Sequence, residues 1–405
     1  GGTVKGNGSF TVNGSMDISG NGNKTLDGRT ITNQGTASVT GTETVYFRNG
    51  AVFDNQAGAT FDVQTDVTLS HQTGATTSFD NAGTVRKSGG TGTATFALVF
   101  NNQGGTIDVQ SGTIRLHMGG THTGGTFTVA SGASLEFSAY THTFSGSYSG
   151  SGAGSPQLTG GTLEVDAGGV TFNFSGGGFE WTGGKITGGT LTNDGLFVIA
   201  GSSSKNLDGA RITNRSTTNV TGTGTVYFKN DAVFDNQAGA TFDVQTDVTL
   251  SYSSGTVTRF DNAGTVTKSG SGTAIINMTF NNGNTVNVNG GTLQLGGGGT
   301  HGSTFNVSAG GILKFAGGTH SLGDGSTFTG SGTSEITGGT VNSDGTGTGT
   351  VVNAGATLAL SGGTLGGDGK MAVNGTFEWS GGTVKGNGSF TVNGSMDISG
   401  NGNKT

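Results

Sequence analysis

Two pairs of histidines are the residues whose type and spacing come nearest to chemistry. His122 and His142 each stand in a Thr-His-Thr triplet, 20 residues apart, and His301 and His320 are 19 residues apart. Rings on neighbouring rungs of a stacked β-structure lie about 5 Å apart, and with His117 nearby two such rings would suit a transition metal. The alternative is a recurrent surface side chain. Because carboxylate support nearby is thin, we predict no metal site.

The closest recurring carboxylates are Asp62 and Asp66, which return as Asp243 and Asp247. Two outward-facing carboxylates would suit acid–base hydrolysis of a polysaccharide. An active site, however, normally occurs once, in a groove built by inserted loops, whereas these acids recur without a cluster of Arg, Lys or His. We therefore predict solvated strand faces, no catalytic residues and no enzymatic activity.

Paired aromatic residues mark two places in the chain, Phe179 with Trp181 in GGFEWTGG and Phe377 with Trp379 in GTFEWSGG. They would make a glycan-stacking platform if they faced solvent. Each pair shares one parity of strand alternation, so we predict that both members point into the core.

Two further ligands, calcium and ice, are bound by other repetitive β-proteins. GGDGKMAV at Gly366 and GDGSTF at Gly323 resemble calcium-binding nonapeptide repeats only faintly and form no tandem run. Threonine is plentiful, but its register along the repeats wanders, which speaks against a flat ice-binding array. We predict no cofactor.

The composition indicates an all-β protein. Glycine supplies 85 of 405 residues, proline one and cysteine none. Collagen is excluded because glycine does not fall at every third position, and β-branched residues alternate with polar ones throughout. A net charge of −7 speaks against nucleic acid as a partner, and no apolar run approaches the ~20 residues of a membrane helix.

The chain repeats itself on two scales. Residues 381–405 are identical to residues 1–25, so the sequence restarts after 380 residues. Within that span, AVFDNQAGATFDVQTDVTL at Ala51 returns at Ala232. We expect a fragment of a longer repetitive protein, with half-repeats at 1–182 and 183–380 and a new copy starting at 381–405.

The smaller unit is a rung with a recurring asparagine. From Asn13 to Asn193 is 180 residues, which fits about eight rungs, and from Asn193 to Asn393 is 200 residues, which fits about nine. Asparagines at one corner either stack amide on amide along the axis or serve plain turn chemistry. The candidate ladder residues are Asn33, Asn55, Asn81, Asn102, Asn214, Asn236, Asn262 and Asn282.

This period predicts a right-handed parallel β-helix, with about 17 rungs of about 22 residues in each 380-residue repeat. One rung buries too little apolar surface to stand alone, whereas stacked rungs share a core and complete each other's backbone hydrogen bonds. An antiparallel sandwich is the rival, but it does not naturally repeat near-equivalent rungs or add one cleanly.

The strings FEWSGGTVKGNGSF, KTLDGRTITN, VFDNQAGATFDV and FDNAGTVRKSGGTGTA resemble repeats of very large secreted bacterial surface proteins, the passenger β-solenoids of autotransporters and filamentous haemagglutinins. The resemblance covers nearly the whole chain. It implies export, an extracellular or cell-surface location and a structural role as fibre, stalk or sheath, with further copies of the solenoid as partner. Lateral fibre contacts are a further expectation, and an adhesin for glycans or other cells is the alternative function.

Overall fold

The computed structural model describes residues 1–400, 402, 404 and 405. None of these residues lies in a helix, and strands of mostly four residues alternate with short corners. The chain forms about 19 rungs of about 21 residues, each with three strands, and the strands of successive rungs pair in parallel. The predicted all-β parallel β-helix is confirmed.

The chain divides into two compact units, residues 1–198 and 199–405, while the boundary predicted from the repeat falls at 182. In both units each strand pairs with the equivalent strand of the next rung, which produces three stacks. We name the stacks by the buried asparagines: the ladder stack carries them, the pre-ladder stack precedes it along each rung and the post-ladder stack follows it.

Unit 1 is built from 24 strands, with a further strand, β25 (Leu196–Ile199), at the division. Its pre-ladder stack contains β1 (Gly2–Lys5), β4 (Lys24–Asp27), β7 (Val45–Arg48), β10 (Thr68–Thr73), β13 (Thr93–Ala97), β16 (Thr113–Leu116), β18 (Ser134–Phe137), β20 (Ser155–Leu158) and β22 (Phe179–Trp181). Its ladder stack contains β2 (Ser9–Val12), β5 (Thr30–Asn33), β8 (Val52–Asn55), β11 (Ser78–Asn81), β14 (Val99–Asn102), the first parts of β17 (Gly120–Val129), β19 (Thr141–Gly150) and β21 (Thr162–Phe174), and β23 (Gly184–Gly188). Its post-ladder stack contains β3 (Ser15–Ile18), β6 (Thr36–Val39), β9 (Thr60–Val63), β12 (Thr84–Lys87), β15 (Thr106–Val109), the second parts of β17, β19 and β21, and β24 (Thr190–Asn193).

Unit 2 repeats the arrangement. Its pre-ladder stack contains β26 (Lys205–Asp208), β29 (Val226–Lys229), β32 (Val248–Tyr252), β35 (Thr273–Asn277), β38 (Thr292–Leu295), β41 (Ile312–Phe315), β44 (Thr333–Ile336), β47 (Thr357–Leu360), β50 (Thr376–Trp379) and β53 (Ser395–Ile398). Its ladder stack contains β27 (Arg211–Asn214), β30 (Val233–Asn236), β33 (Arg259–Asn262), β36 (Thr279–Asn282), β39 (Gly299–His301), β42 (Thr319–Leu322), β45 (Thr340–Ser343), β48 (Thr364–Gly366) and β51 (Thr383–Val384). Its post-ladder stack contains β28 (Thr217–Val220), β31 (Thr241–Val244), β34 (Thr265–Lys268), β37 (Thr285–Val288), β40 (Thr304–Val307), β43 (Thr327–Thr329), β46 (Thr350–Val352), β49 (Met371–Val373) and β52 (Phe390–Val392).

The core follows from strand alternation. In most strands the second and fourth residues are buried and the first and third face outward, as in Thr60–Val63. Equivalent side chains stack from rung to rung: the rings of Phe53, Phe79 and Phe100 lie parallel, with centroids 5.0 and 5.4 Å apart. Each such aromatic contact stabilises the coil by about 1 kcal/mol beyond the area that it buries.

The asparagine of the first rung does not join the ladder that its spacing suggests. Val12, and not Asn13, is the register partner of Asn33, and Asn13 is exposed. Sequence spacing alone placed Asn13 in the ladder series. The spacing between asparagines does not show whether a difference of one residue lies in a corner or within a strand.

Candidate functional site

A ladder of buried asparagines runs along the ladder stack of unit 1. In each step the Nδ2 of one asparagine donates to the Oδ1 of the asparagine on the next rung. The donor–acceptor distances are 2.9 Å for Asn33 to Asn55, 2.8 Å for Asn55 to Asn81 and 2.8 Å for Asn81 to Asn102. All four residues are fully buried.

The second hydrogen of each amide closes the corner. Nδ2 of each asparagine also donates to the carbonyl oxygen of a threonine that begins a post-ladder strand. The distances are 3.0 Å from Asn33 to Thr60, 3.1 Å from Asn55 to Thr84 and 3.4 Å from Asn81 to Thr106. Buried polar groups need partners, and here each amide supplies them to its neighbour and to the backbone. The asparagines therefore stabilise the corner between two stacks.

Unit 2 contains the same ladder, and its Nδ2–Oδ1 distances are all 2.8 Å, from Asn214 to Asn236, from Asn236 to Asn262 and from Asn262 to Asn282. The corner carbonyls of Thr241, Thr265 and Thr285 accept the second hydrogen at 3.0, 3.1 and 3.2 Å. The structure thus brings all eight predicted ladder asparagines into two hydrogen-bonded rows.

A histidine follows the last asparagine of each ladder. His122 is the register partner of Asn102, and its Nε2 lies 3.0 Å from Nδ1 of His142 on the next rung. The two imidazole rings are stacked, with centroids 5.3 Å apart, and both are fully buried. The surface interpretation of these histidines is wrong, because both rings occupy inward positions of their strands.

The second pair has the same geometry. His301 is the register partner of Asn282, its Nε2 lies 2.9 Å from Nδ1 of His320, and the ring centroids are 5.2 Å apart. Burial lowers the pKa of His301 to about 3 and that of His320 to about 4. In unit 1, burial lowers the pKa of His142 to about 4 and that of His122 well below 6.5. All four imidazoles are therefore neutral near pH 7.

The nitrogens that face each other make a hydrogen bond. Two nitrogen ligands of a tetrahedral zinc ion, each about 2.0–2.1 Å from the metal, would stand about 3.3 Å apart, whereas these nitrogens are 3.0 and 2.9 Å apart. Among the described residues, no group of three or more His, Cys, Asp or Glu side chains has a geometry that would hold a metal ion.

The strands of His122 and His301 each begin with a glycine that the backbone geometry requires. A Cβ at Gly299, whose φ is +140°, would lie 2.0 Å from the carbonyl oxygen of Phe280. Gly120 has the same environment, with φ +146° and 1.9 Å to the carbonyl oxygen of Phe100. A GGTH sequence therefore lets the backbone approach the preceding rung closely enough to bring the imidazole under the asparagine.

The recurring carboxylates lie on the outer face, and three of them, Asp62, Asp66 and Asp243, accept hydrogen bonds from neighbouring side chains. Asp66 accepts a hydrogen bond from Nζ of Lys87 at 2.9 Å, and this contact lowers the pKa of Asp66. Asp62 accepts from the amide of Gln64 at 3.1 Å, as Asp243 does from Gln245 at 2.9 Å.

Sequence reasoning missed Lys87, a fully buried lysine whose ammonium also donates to the carbonyl oxygen of Gly90 at 3.1 Å. The available signal was its parity, since Lys87 is two residues after the buried Val85. The equivalent Lys268 donates to the carbonyl oxygen of Gly270 at 2.6 Å, and burial lowers its pKa.

The paired aromatic residues do not form an exposed platform. Phe179, Trp181 and Phe377 have no exposed surface, and Trp379 is half-buried, with its Nε1 donating to the carbonyl oxygen of Gly382 at 3.3 Å.

Within the described part of the chain there is no helix long and apolar enough to cross a membrane.

Comparison of the chain with models of protein families, with curated proteins and with solved structures gives no match. The repeat and its contacts therefore provide the starting point for inferring function.

Proposed function

We propose that the chain is a segment of an extracellular structural fibre, stalk or sheath, in which tandem copies of the 380-residue repeat provide length. Uniform rungs give stiffness, and each rung supplies the hydrogen-bonding edge for the next. The partner of one copy is another copy of the same solenoid.

The strand pairing at the junction between one copy and the next supports the proposal. Residues 381–405 repeat residues 1–25, and their strands β51, β52 and β53 pair in parallel with β48, β49 and β50 of the copy before. Phe377 is in register with Met396, and Trp379 with Ile398. A new copy thus begins on ordinary strand pairing, without a linker, and the same contacts are available to every later copy.

The restart also shifts by one stack. β52 has the sequence of β2, which belongs to the ladder stack of unit 1, but β52 pairs in the post-ladder stack of unit 2. The next asparagine ladder would therefore begin on the neighbouring stack. In a tandem fibre the first ladder after each joint would therefore lie one stack away from the last ladder before it.

The proposed location is the exterior or surface of a bacterial cell. It is supported by the resemblance of the repeat strings to secreted surface solenoids, and lateral contacts between fibres belong to the same proposal.

Electron microscopy of chains with one, two and four copies of residues 1–380 tests the fibre. We expect rods that lengthen by on the order of 80 Å per copy, from the ~4.8 Å spacing of rungs. Phe377→Asp, which places a carboxylate at a fully buried position of the joint, should interrupt the rods. Glu378→Lys, on the outer face of the same strand, should not. Particles whose length does not increase with copy number would overturn the proposal.

An adhesin is the second candidate, favoured by a displayed loop in unit 2. Tyr252 and Val257 are 49% and 51% exposed, and the carboxylate of Asp231 holds the loop by accepting from the backbone N–H groups of Thr256 and Val257 at 2.5 and 2.9 Å. The residues of unit 1 that correspond to Tyr252 and Val257 are polar, His71 and Thr76. Binding to a glycan array that Tyr252→Ser abolishes would establish adhesion, and an array without any binding would exclude glycans as its target.

A further inference from the structure

At the end of the unit 2 ladder, the amide of Asn282 and the imidazole of His301 are buried groups of opposite hydrogen-bonding character. We call the space between them the gap. Asn282 and His301 are register partners on neighbouring rungs, and each is 1% exposed. Nδ2 of Asn282 and Nδ1 of His301 have no hydrogen-bond partner. Buried polar atoms without a partner are rare in native proteins, and an ordered water or other bound group is one of their explanations.

The hydrogen-bond chain determines which of the two atoms donates. Asn262 donates to Oδ1 of Asn282, so Asn282 presents its amide hydrogens to the next rung. Nε2 of His320 lies 3.1 Å from the carbonyl oxygen of Gly317, which accepts only, so His320 is protonated at Nε2 and its Nδ1 accepts from His301. Nδ1 of His301 is therefore an unprotonated acceptor. The gap has a donor on one side and an acceptor on the other.

A groove reaches this gap from the solvent. It has a volume of about 380 Å³ and is lined by Asn281, Asn282, Gly283, Thr300, His301, Gly302, Ser321 and Gly323. Three of these residues are glycines on successive rungs, and a Cβ at Gly302 would have no atom within 4 Å. The hydroxyl of Thr300 at the groove donates to Oδ1 of Asn281 at 3.1 Å, whereas most of the exposed lining is apolar.

We propose that Asn282 and His301 bind one hydroxyl group, which accepts a hydrogen bond from Nδ2 of Asn282 and donates one to Nδ1 of His301. A cation would be repelled by the amide hydrogens, and a fully ionised anion has no hydrogen for the imidazole. A hydroxyl is the smallest group with both functions, and its source is either a trapped water or a carbohydrate lying in the groove. This site does not depend on the proposed fibre.

A crystal structure of the chain, grown without carbohydrate, tests the water source. We expect density for one oxygen within about 2.7–3.2 Å of both nitrogens. The matched comparison is Asn102, whose Nδ2 donates to the carbonyl oxygens of Gly105 and Gly124, so that no bridging oxygen is expected at its amide. A direct hydrogen bond between Asn282 and His301 would overturn the proposal.

Titration of ¹⁵N-histidine-labelled protein with mannose, galactose and N-acetylglucosamine tests the carbohydrate source. A saturable shift of the His301 Nδ1 resonance that Gly302→Val abolishes, by filling the groove, would assign the hydroxyl to a sugar. Gly14→Val, at an open glycine between the ladder and post-ladder strands of the first rung, should leave the shift intact. No shift together with the bridging oxygen assigns a water, and no shift together with an empty gap would overturn the site.

Discussion

The two asparagine ladders end differently although the same residue types build them. Both rows contain four asparagines followed by a stacked histidine pair. In unit 1 the last amide, of Asn102, donates to the carbonyl oxygens of Gly105 and Gly124, each at 3.0 Å. In unit 2 the amide nitrogen of Asn282 has no partner.

The difference comes from the corners. Three residues separate His122 from Thr126, which starts the post-ladder pairing, but only two separate His301 from its counterpart Thr304. The shorter corner lacks the residue equivalent to Gly124, whose carbonyl accepts one of the two hydrogen bonds from Asn102. The corner after Asn282 is likewise one residue shorter than the corner after Asn102, in which Gly105 supplies the other acceptor. Strand alternation therefore determines which side chains are buried, while corner length determines whether the last buried amide is satisfied.

The largest expected effect is a loss of folding stability at acidic pH, to which both histidine pairs contribute. Burial holds the pKa of His142 and His320 at about 4 and that of His301 at about 3, against about 6.5 in the unfolded chain. The unfolded state therefore takes up protons first. Stability is complete above pH 6.5 and falls as the pH is lowered from 6.5 towards 4, by about 2 kcal/mol per imidazole at pH 5.

Denaturant unfolding at pH 7.5 and pH 5 measures this loss. The double variants His122→Leu with His142→Leu, and His301→Leu with His320→Leu, should each remove about half of the pH dependence. If one double variant removes nearly all of it, the two pairs are not equivalent and the comparison between the ladder ends fails.

The next largest effect separates the middle of a ladder from its end. Asn81→Leu leaves Asn55 without its asparagine acceptor and Asn102 without its asparagine donor, so we expect a loss of about 3 kcal/mol in the free energy of unfolding. Asn282→Leu removes one acceptor, that of Asn262, and should cost about 1–2 kcal/mol. Denaturant unfolding of both variants at pH 7.5 gives the comparison, and equal losses would contradict it.

Much of this architecture could be predicted from residue alternation. In TITN and VFDN the asparagine has the parity of Ile31 or Phe53, so Asn33 and Asn55 are expected inside with those apolar residues, and the structure buries all of them. The repeat of 25 identical residues and the steady rung length similarly led to stacked parallel strands.

The ends of the ladders were beyond such reasoning. His122 lies between two threonines, and its sequence does not distinguish an inward imidazole from an outward one. The burial of Lys87 follows from parity, but its contact with Asp66 depends on which rungs are adjacent. The partner of Asn102 is a backbone carbonyl, a group that every residue carries, so only the path of the corner decides whether it is within reach.

The buried lysines give a smaller effect of the same kind. Lys87 contacts Asp66 and the corner carbonyls in unit 1, whereas Lys268 donates to the carbonyl oxygen of Gly270 and has a pKa lowered by burial. Lys87→Met should cost about 1–2 kcal/mol and Lys268→Met less than about 1 kcal/mol. Unfolding midpoints in urea measure both, and a larger loss for Lys268→Met would reverse the order of the two corners.

The smallest effect comes from rebuilding the short corner. Replacing Gly302–Ser303 by Thr-Gly-Gly gives unit 2 the corner that follows His122, and with it a carbonyl placed like that of Gly124. We expect Asn282 to gain an acceptor and the free energy of unfolding to rise by about 1 kcal/mol. As the matched control, shortening the unit 1 corner by deleting Gly124 should lower it by a similar amount, because Asn102 then loses one of its two carbonyl acceptors and keeps only that of Gly105. If both changes lower the stability equally, corner length acts through backbone strain. The two ladder ends would then not differ in whether the last asparagine amide has a hydrogen-bond acceptor.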